Sequence, residues 1–79
     1  MKIYHLKDNL IEIEHEGKVM LFSYQTLVGV FIPETNQRFI SSKFHSRTTT
    51  RHIKFWLQDC MLGLPYKAIS QSELEEMIK

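Results

Sequence analysis

Four histidines, one cysteine and three closely spaced glutamates are the residues of this chain whose types could do chemistry. His5, His15, His45 and His52 could ligate a metal. No two of them stand at the i, i+4 spacing that puts a ligand pair on one helix face, and His45 and His52 could meet only through the fold. A structural zinc wants about four ligands, usually with a cysteine pair, whereas Cys60 is alone. The sequence predicts no metal site and no cofactor. A catalytic thiol needs a base and an exposed electropositive setting. Cys60 has no histidine near it in sequence and falls on the apolar face of a predicted helix, where cysteine behaves as a small hydrophobe. Glu12, Glu14 and Glu16 could share acid–base work if one were desolvated. They alternate with Ile11, Ile13 and His15, which reads as the polar face of a strand. Neither a glycine-rich phosphate loop nor a nucleophile elbow is present. The expectation is therefore no catalytic residue and no enzyme.

Binding is the better-supported chemistry. Arg38, Lys43, Arg47, Arg51 and Lys54 lie between Thr35 and Gln58 with no Asp or Glu among them. Acids flank that stretch: Asp8, Glu12, Glu14 and Glu16 before it, Glu73, Glu75 and Glu76 after it. A formal net charge of +1 does not by itself imply a nucleic-acid partner, but the segregation predicts a dipolar surface if the fold keeps the segments apart. A helix beginning near Thr49 would add its N-terminal amides to the positive field. Two surfaces follow. One is a protein-binding helix face of Arg51, Phe55, Gln58 and Leu62, with Arg47 in the preceding turn. Its residues on the helix recur at i, i+4, i+7 and i+11. The other is a nucleic-acid-binding set, Arg38, Lys43, Arg47, Arg51 and Lys54.

The elements that must position these groups are legible as changes of period. Residues 9–15 alternate as a strand, Glu16-Gly17 makes a turn, and 19–24 returns as its hairpin partner. Residues 26–32 are nearly continuously apolar and β-branched, the pattern of a central strand covered on both faces. Pro33 to Asn36 forms a turn before a strand over 37–41, and residues 1–6 can add an edge strand. After Ser42 the period becomes helical. Thr48, Thr49 and Thr50 are candidate N-caps, and Ile53, Trp56, Leu57, Cys60 and Leu64 form the stripe expected to face the sheet. Trp56 is expected beside Leu57 and Val30. Gly63 and Pro65 end that helix, so it spans about 49–62. Tyr66 to Ile69 is a connector or short strand. Ser70 precedes Glu73 at capping-box spacing, opening a terminal helix over about 71–78 with Leu74, Met77 and Ile78 inward. The predicted fold is α+β, an antiparallel meander of three to five strands packed on one face by both helices.

The 79 residues make a single domain, 1–79, with a thin core and no disulfide. The start of the chain lacks a signal-peptide stretch and no run could span a bilayer, so a cytoplasmic protein without a membrane partner is expected.

Leu21-Phe22-Ser23-Tyr24-Gln25-Thr26-Leu27-Val28 and Ser46-Arg47-Thr48-Thr49-Thr50-Arg51-His52-Ile53-Lys54-Phe55-Trp56-Leu57 resemble an uncharacterised family of small bacteriophage and prophage proteins, with a Ser-Tyr-x-Thr strand and a Thr-rich turn leading into a His-containing helix. The resemblance covers residues 9–62 and implies a phage-encoded protein acting in a bacterial host cytoplasm. It carries no activity and no site residue. Two function classes stand. The first is a non-enzymatic module that contacts a host or phage protein, for instance as an inhibitor of a host defence factor, with a second copy of the chain among the candidate partners. The alternative is a nucleic-acid-binding domain using segment 38–54.

Overall fold

The computed structural model describes residues 1–60 and 65–79. Leu62, Gly63 and Leu64, and the shelter expected for the Cys60 thiol, lie outside what is described. Six strands form one sheet in chain order: β1 (Lys2–Lys7), β2 (Leu10–His15), β3 (Lys18–Ser23), β4 (Thr26–Ile32), β5 (Gln37–Ser41) and β6 (Lys67–Ile69). Neighbours β1 to β5 are antiparallel, as short turns require. The turns place Asn9, Glu16, Gly17, Tyr24 and Asn36 at positive φ. Helix α1 (Arg47–Phe55) follows β5, continues as a π-helical turn over Trp56–Cys60, and precedes β6. Because this connection crosses over, β6 pairs with β5 in parallel. The terminal helix α2 spans Gln71–Glu76.

The architecture is α+β, with two corrections. Among the described residues there are six strands, because residues 67–69 extend the sheet rather than merely connecting. The helices also cover opposite faces. Side chains alternate along β3, so Leu21 and Ser23 face one way and Met20 and Phe22 the other. Leu21 joins Leu10, Val28 and Trp56 in one buried cluster. Met20 and Phe22 pack on a second cluster of Leu27, Val30, Ile69 and Leu74, which α2 covers. A bulge sharpens this division. Leu21 pairs with Gly29 but Phe22 pairs with Leu27, leaving Val28 as the extra residue. Val28 and Gly29 therefore both serve the α1 face, and Val30 lies on the other face from Trp56, not beside it.

Trp56 is fully buried, as the apolar stripe predicts. Its ring lies on β4 at Gly29, where a Cβ would stand 2.6 Å from Cζ3 of the indole. Only a residue without a side chain admits the ring there. The indole Nε1 donates to Glu12 Oε2 at 2.9 Å, so Glu12 faces the helix and satisfies a buried donor. Arg38 lies against the same residue, with its guanidinium 5.6 Å from the ring centroid and Nη1 donating to the Trp56 carbonyl at 3.3 Å. On the opposite face Lys18 Nζ donates to the Met77 carbonyl beyond α2. Ser70 caps α2 by accepting from the Glu73 amide at 3.2 Å, as its spacing predicts.

Candidate functional site

Helix α1 starts earlier than expected because Ser46, not one of the threonines, is its N-cap. The Ser46 hydroxyl accepts from the Thr49 amide at 3.1 Å. Thr49 is then turned inward. Its Oγ1 lies 2.9 Å from Ser23 Oγ, which in turn lies 2.8 Å from His52 Nδ1. Ser46 Oγ also donates to Thr49 Oγ1 at 3.1 Å. Donated in sequence from Ser46 to Thr49 to Ser23 to His52, these contacts suit a neutral imidazole accepting at Nδ1. Burial pushes the His52 pKa below its ordinary 6.5, and the Lys7 ammonium pushes it the same way. The pair resembles a hydroxyl beside its general base. Ser23, however, is only 1% exposed, so no substrate could reach its oxygen in this packing. The network instead fastens α1 to β3.

That fastening sets the helix phase. The inward edge runs through Thr49, His52 and Trp56, with Ile53 and Leu57 half-buried on one flank and Phe55 on the other. Phe55 is not the exposed aromatic expected on the outer face. It packs on the Leu10–Leu21–Val28–Trp56 cluster, and Lys7 Nζ sits 4.2 Å from its ring centroid. The outer face is Arg47, Arg51, Lys54 and Gln58, all exposed and spaced i, i+4, i+7 and i+11. Arg47, Arg51 and Gln58 thus stand together as the protein-binding set requires, with Lys54 in the place intended for Phe55. Of the nucleic-acid set, Lys43, Arg47, Arg51 and Lys54 are exposed. Arg38 is 2% exposed beneath Trp56 and belongs to the interior.

Beside the outer face runs a groove of about 330 Å³. Ile40, Ile53 and Leu57 contribute its apolar part, Lys43 and Lys54 its charge, and Phe44 and Tyr66 its aromatic edges. The two aromatics are 71% and 56% exposed. Nothing in hydrophobic periodicity marks this groove, because Tyr66 reaches it only through the parallel β5–β6 pairing. Below it, Ser41 Oγ donates to Gln71 Oε1 at 2.5 Å, and His45 Nε2 lies 3.2 Å from the same oxygen, tying the loop after β5 to α2.

The exposed cations of α1 and its preceding loop stand on one side of the sheet and the exposed Glu73, Glu75 and Glu76 of α2 on the other, while Glu12 lies on the α1 side and Lys18 on the α2 side, each in a hydrogen bond. Asp59 is the acid closest in sequence to the cationic stripe. Among the described residues, no three of His, Cys, Asp or Glu gather as a metal site would need, and no helix is long and apolar enough to cross a membrane.

Residues 2–76 match the model of DUF8033, a family of unknown function. The chain belongs to the DUF8033 family. No curated protein and no solved structure matches it. This DUF8033 member presents a cationic helix face with a groove beside it.

Proposed function

We propose that this chain is a non-enzymatic binding module that contacts an acidic surface of a protein partner through the outer face of α1. One observation carries the reading. Arg47, Arg51 and Lys54 form an exposed cationic stripe ending at Gln58, on the side of the sheet away from the acidic helix α2. Such a stripe would raise encounter rates with an acidic surface and exclude basic ones. The resemblance to small phage proteins would place that partner among host or phage proteins, a host defence factor being one. A self-partner is also compatible, since α2 of a second copy presents the complementary charge. The test is capture of partners from bacterial lysate by the chain and by an Arg47→Glu/Arg51→Glu double variant. A partner retained by the first and lost by the second, at unchanged melting temperature, is the expected result.

The alternative, nucleic-acid binding, gains from the same separation of charge, because the acids of α2 would not face the phosphates. With Arg38 interior, four exposed cations remain in that set. Four phosphate contacts correspond to a log K against log salt slope of about −3.6 on duplex DNA. Steeply salt-dependent binding of random duplex or single strands, lost in the same double variant, would replace the protein reading.

A further inference from the structure

We propose that the groove between α1 and the loop after β5 seats a single apolar side chain of an acidic peptide segment, and so selects among partners that the cationic stripe attracts. This rests on the protein-binding reading above and names what that partner must carry.

The groove combines two kinds of lining that ask for different things. Ile40, Ile53 and Leu57 offer aliphatic surface, while Phe44 and Tyr66 extend aromatic surface into solvent at 71% and 56% exposure. Aromatic rings left this exposed around a concave apolar site have the composition of interface anchors. About 330 Å³ is at the small end of ligand sites, so it has room for one large side chain rather than for an extended ligand. Its charged lining is of one sign. Lys43 and Lys54 contribute to it, and among the described residues no carboxylate does. Lys54 is shared with the outer stripe, so the groove borders the helix face that carries Arg51 and Arg47. A segment with an apolar residue in the groove and Asp or Glu around it would satisfy both linings at once.

A nucleic acid fits this lining less well. Bases could stack on Phe44 or Tyr66 and meet the hydroxyls of Ser41, Ser42 and Thr50, but the aliphatic surface of Ile40, Ile53 and Leu57 offers a base edge no hydrogen bond, whereas it suits an apolar side chain. The outer edge of β1 is another open surface. Pairing two copies there antiparallel, in the register that overlaps the whole strand, would set Lys2 against Lys7 of the other chain, like charges opposed.

The experiment uses the full chain and short synthetic peptides with a central Leu or Phe between Asp and Glu residues, twins with Ala at the centre, and an oligo-dT of matched charge. Affinity is read by fluorescence polarisation and location by amide shifts in NMR. The Leu or Phe peptide should bind about tenfold or more tightly than its Ala twin, because a buried apolar anchor discriminates by at least that factor. Shifts should centre on Ile40, Phe44, Leu57 and Tyr66. Phe44→Ser and Lys54→Glu, both at exposed positions, should each weaken binding while leaving the melting temperature in place. Equal binding of the Leu, Phe and Ala peptides, or shifts confined to Arg47 and Arg51, overturns the groove inference and leaves the protein-binding reading standing. Binding of oligo-dT without either peptide overturns both. Binding of no probe overturns the groove inference, and the lysate capture then decides the broader reading separately.

Discussion

On the α1 side of the sheet, one indole fills the space over Gly29, and around it Glu12, Arg38, Ser23, Thr49 and His52 are buried or half-buried with hydrogen bonds between elements. On the α2 side, Leu27, Val30, Ile69 and Leu74 form an aliphatic cluster, ringed by Met20, Phe22, Phe39 and Met77. The first arrangement depends on direction and exact partners; the second depends mainly on area and volume. The helix held by directional bonds presents the cationic stripe, and its phase is fixed to within a residue. Rotating α1 by one position would bury Lys54 or expose His52. The helix held by aliphatic packing shows the acidic surface, where small rotations would change little.

Mutations at the centres of the two faces should differ most. Trp56→Ala should cost about 3–5 kcal/mol, and Leu74→Ala about 2–4, both read by urea denaturation. An equal or larger loss at Leu74 would make the aliphatic face the main source of stability.

Gly29→Ala tests the fit beneath the indole. Its methyl would stand 2.6 Å from Trp56, so the ring must move, at a cost of about 1–3 kcal/mol. In a Trp56→Ala background the same change should be nearly neutral or stabilising. Additive losses in that double-mutant cycle would show that Gly29 is required for the backbone rather than for the ring.

Ser23→Ala should then cost about 1–3 kcal/mol, because it leaves Thr49 and His52 without their shared partner. Phe55→Ser should cost about 1–2 kcal/mol, since the ring is half-buried on the core cluster. An unchanged melting temperature for Phe55→Ser would return that ring to the outer surface.

The smallest effect expected is that of pH. Burial, followed by the Lys7 charge, holds the His52 pKa below 6.5 in the folded chain and so favours its neutral form there. The unfolded chain takes up that proton near 6.5, so acidification favours the unfolded state. The contribution of His52 is full above 6.5 and is lost as pH falls below it. Stability measured by urea between about pH 7.5 and 5 should decline, and less so in His52→Gln. An identical decline in both would assign the pH dependence to other groups.

Five of the six strands, the turn at Glu16-Gly17, the burial of Trp56 and the Ser70 cap were all legible because each depends on residues near one another in the chain. Period-two alternation, positive φ at glycine and capping-box spacing are local physics. The phase of α1 was not legible. The stripe through Ile53, Trp56 and Leu57 put Phe55 on the outer face, whereas the Ser23 hydroxyl beneath the helix draws Thr49 and His52 inward and turns Phe55 onto the core cluster. Arg38 looked like a surface cation for the same reason, since its place under the indole depends on Trp56, eighteen residues later. The strand at residues 67–69 is too short to announce itself and exists because β5 offers it an edge. So does Tyr66 at the groove. The sequence by itself determined the elements, the cationic run and the central tryptophan, because those follow from neighbours along the chain. Which helix covers which face, which polar groups go inside, and therefore which cations and aromatics remain outside, only the tertiary structure decided, because hydrogen bonds and ring contacts between distant residues outweigh the hydropathy of any one of them.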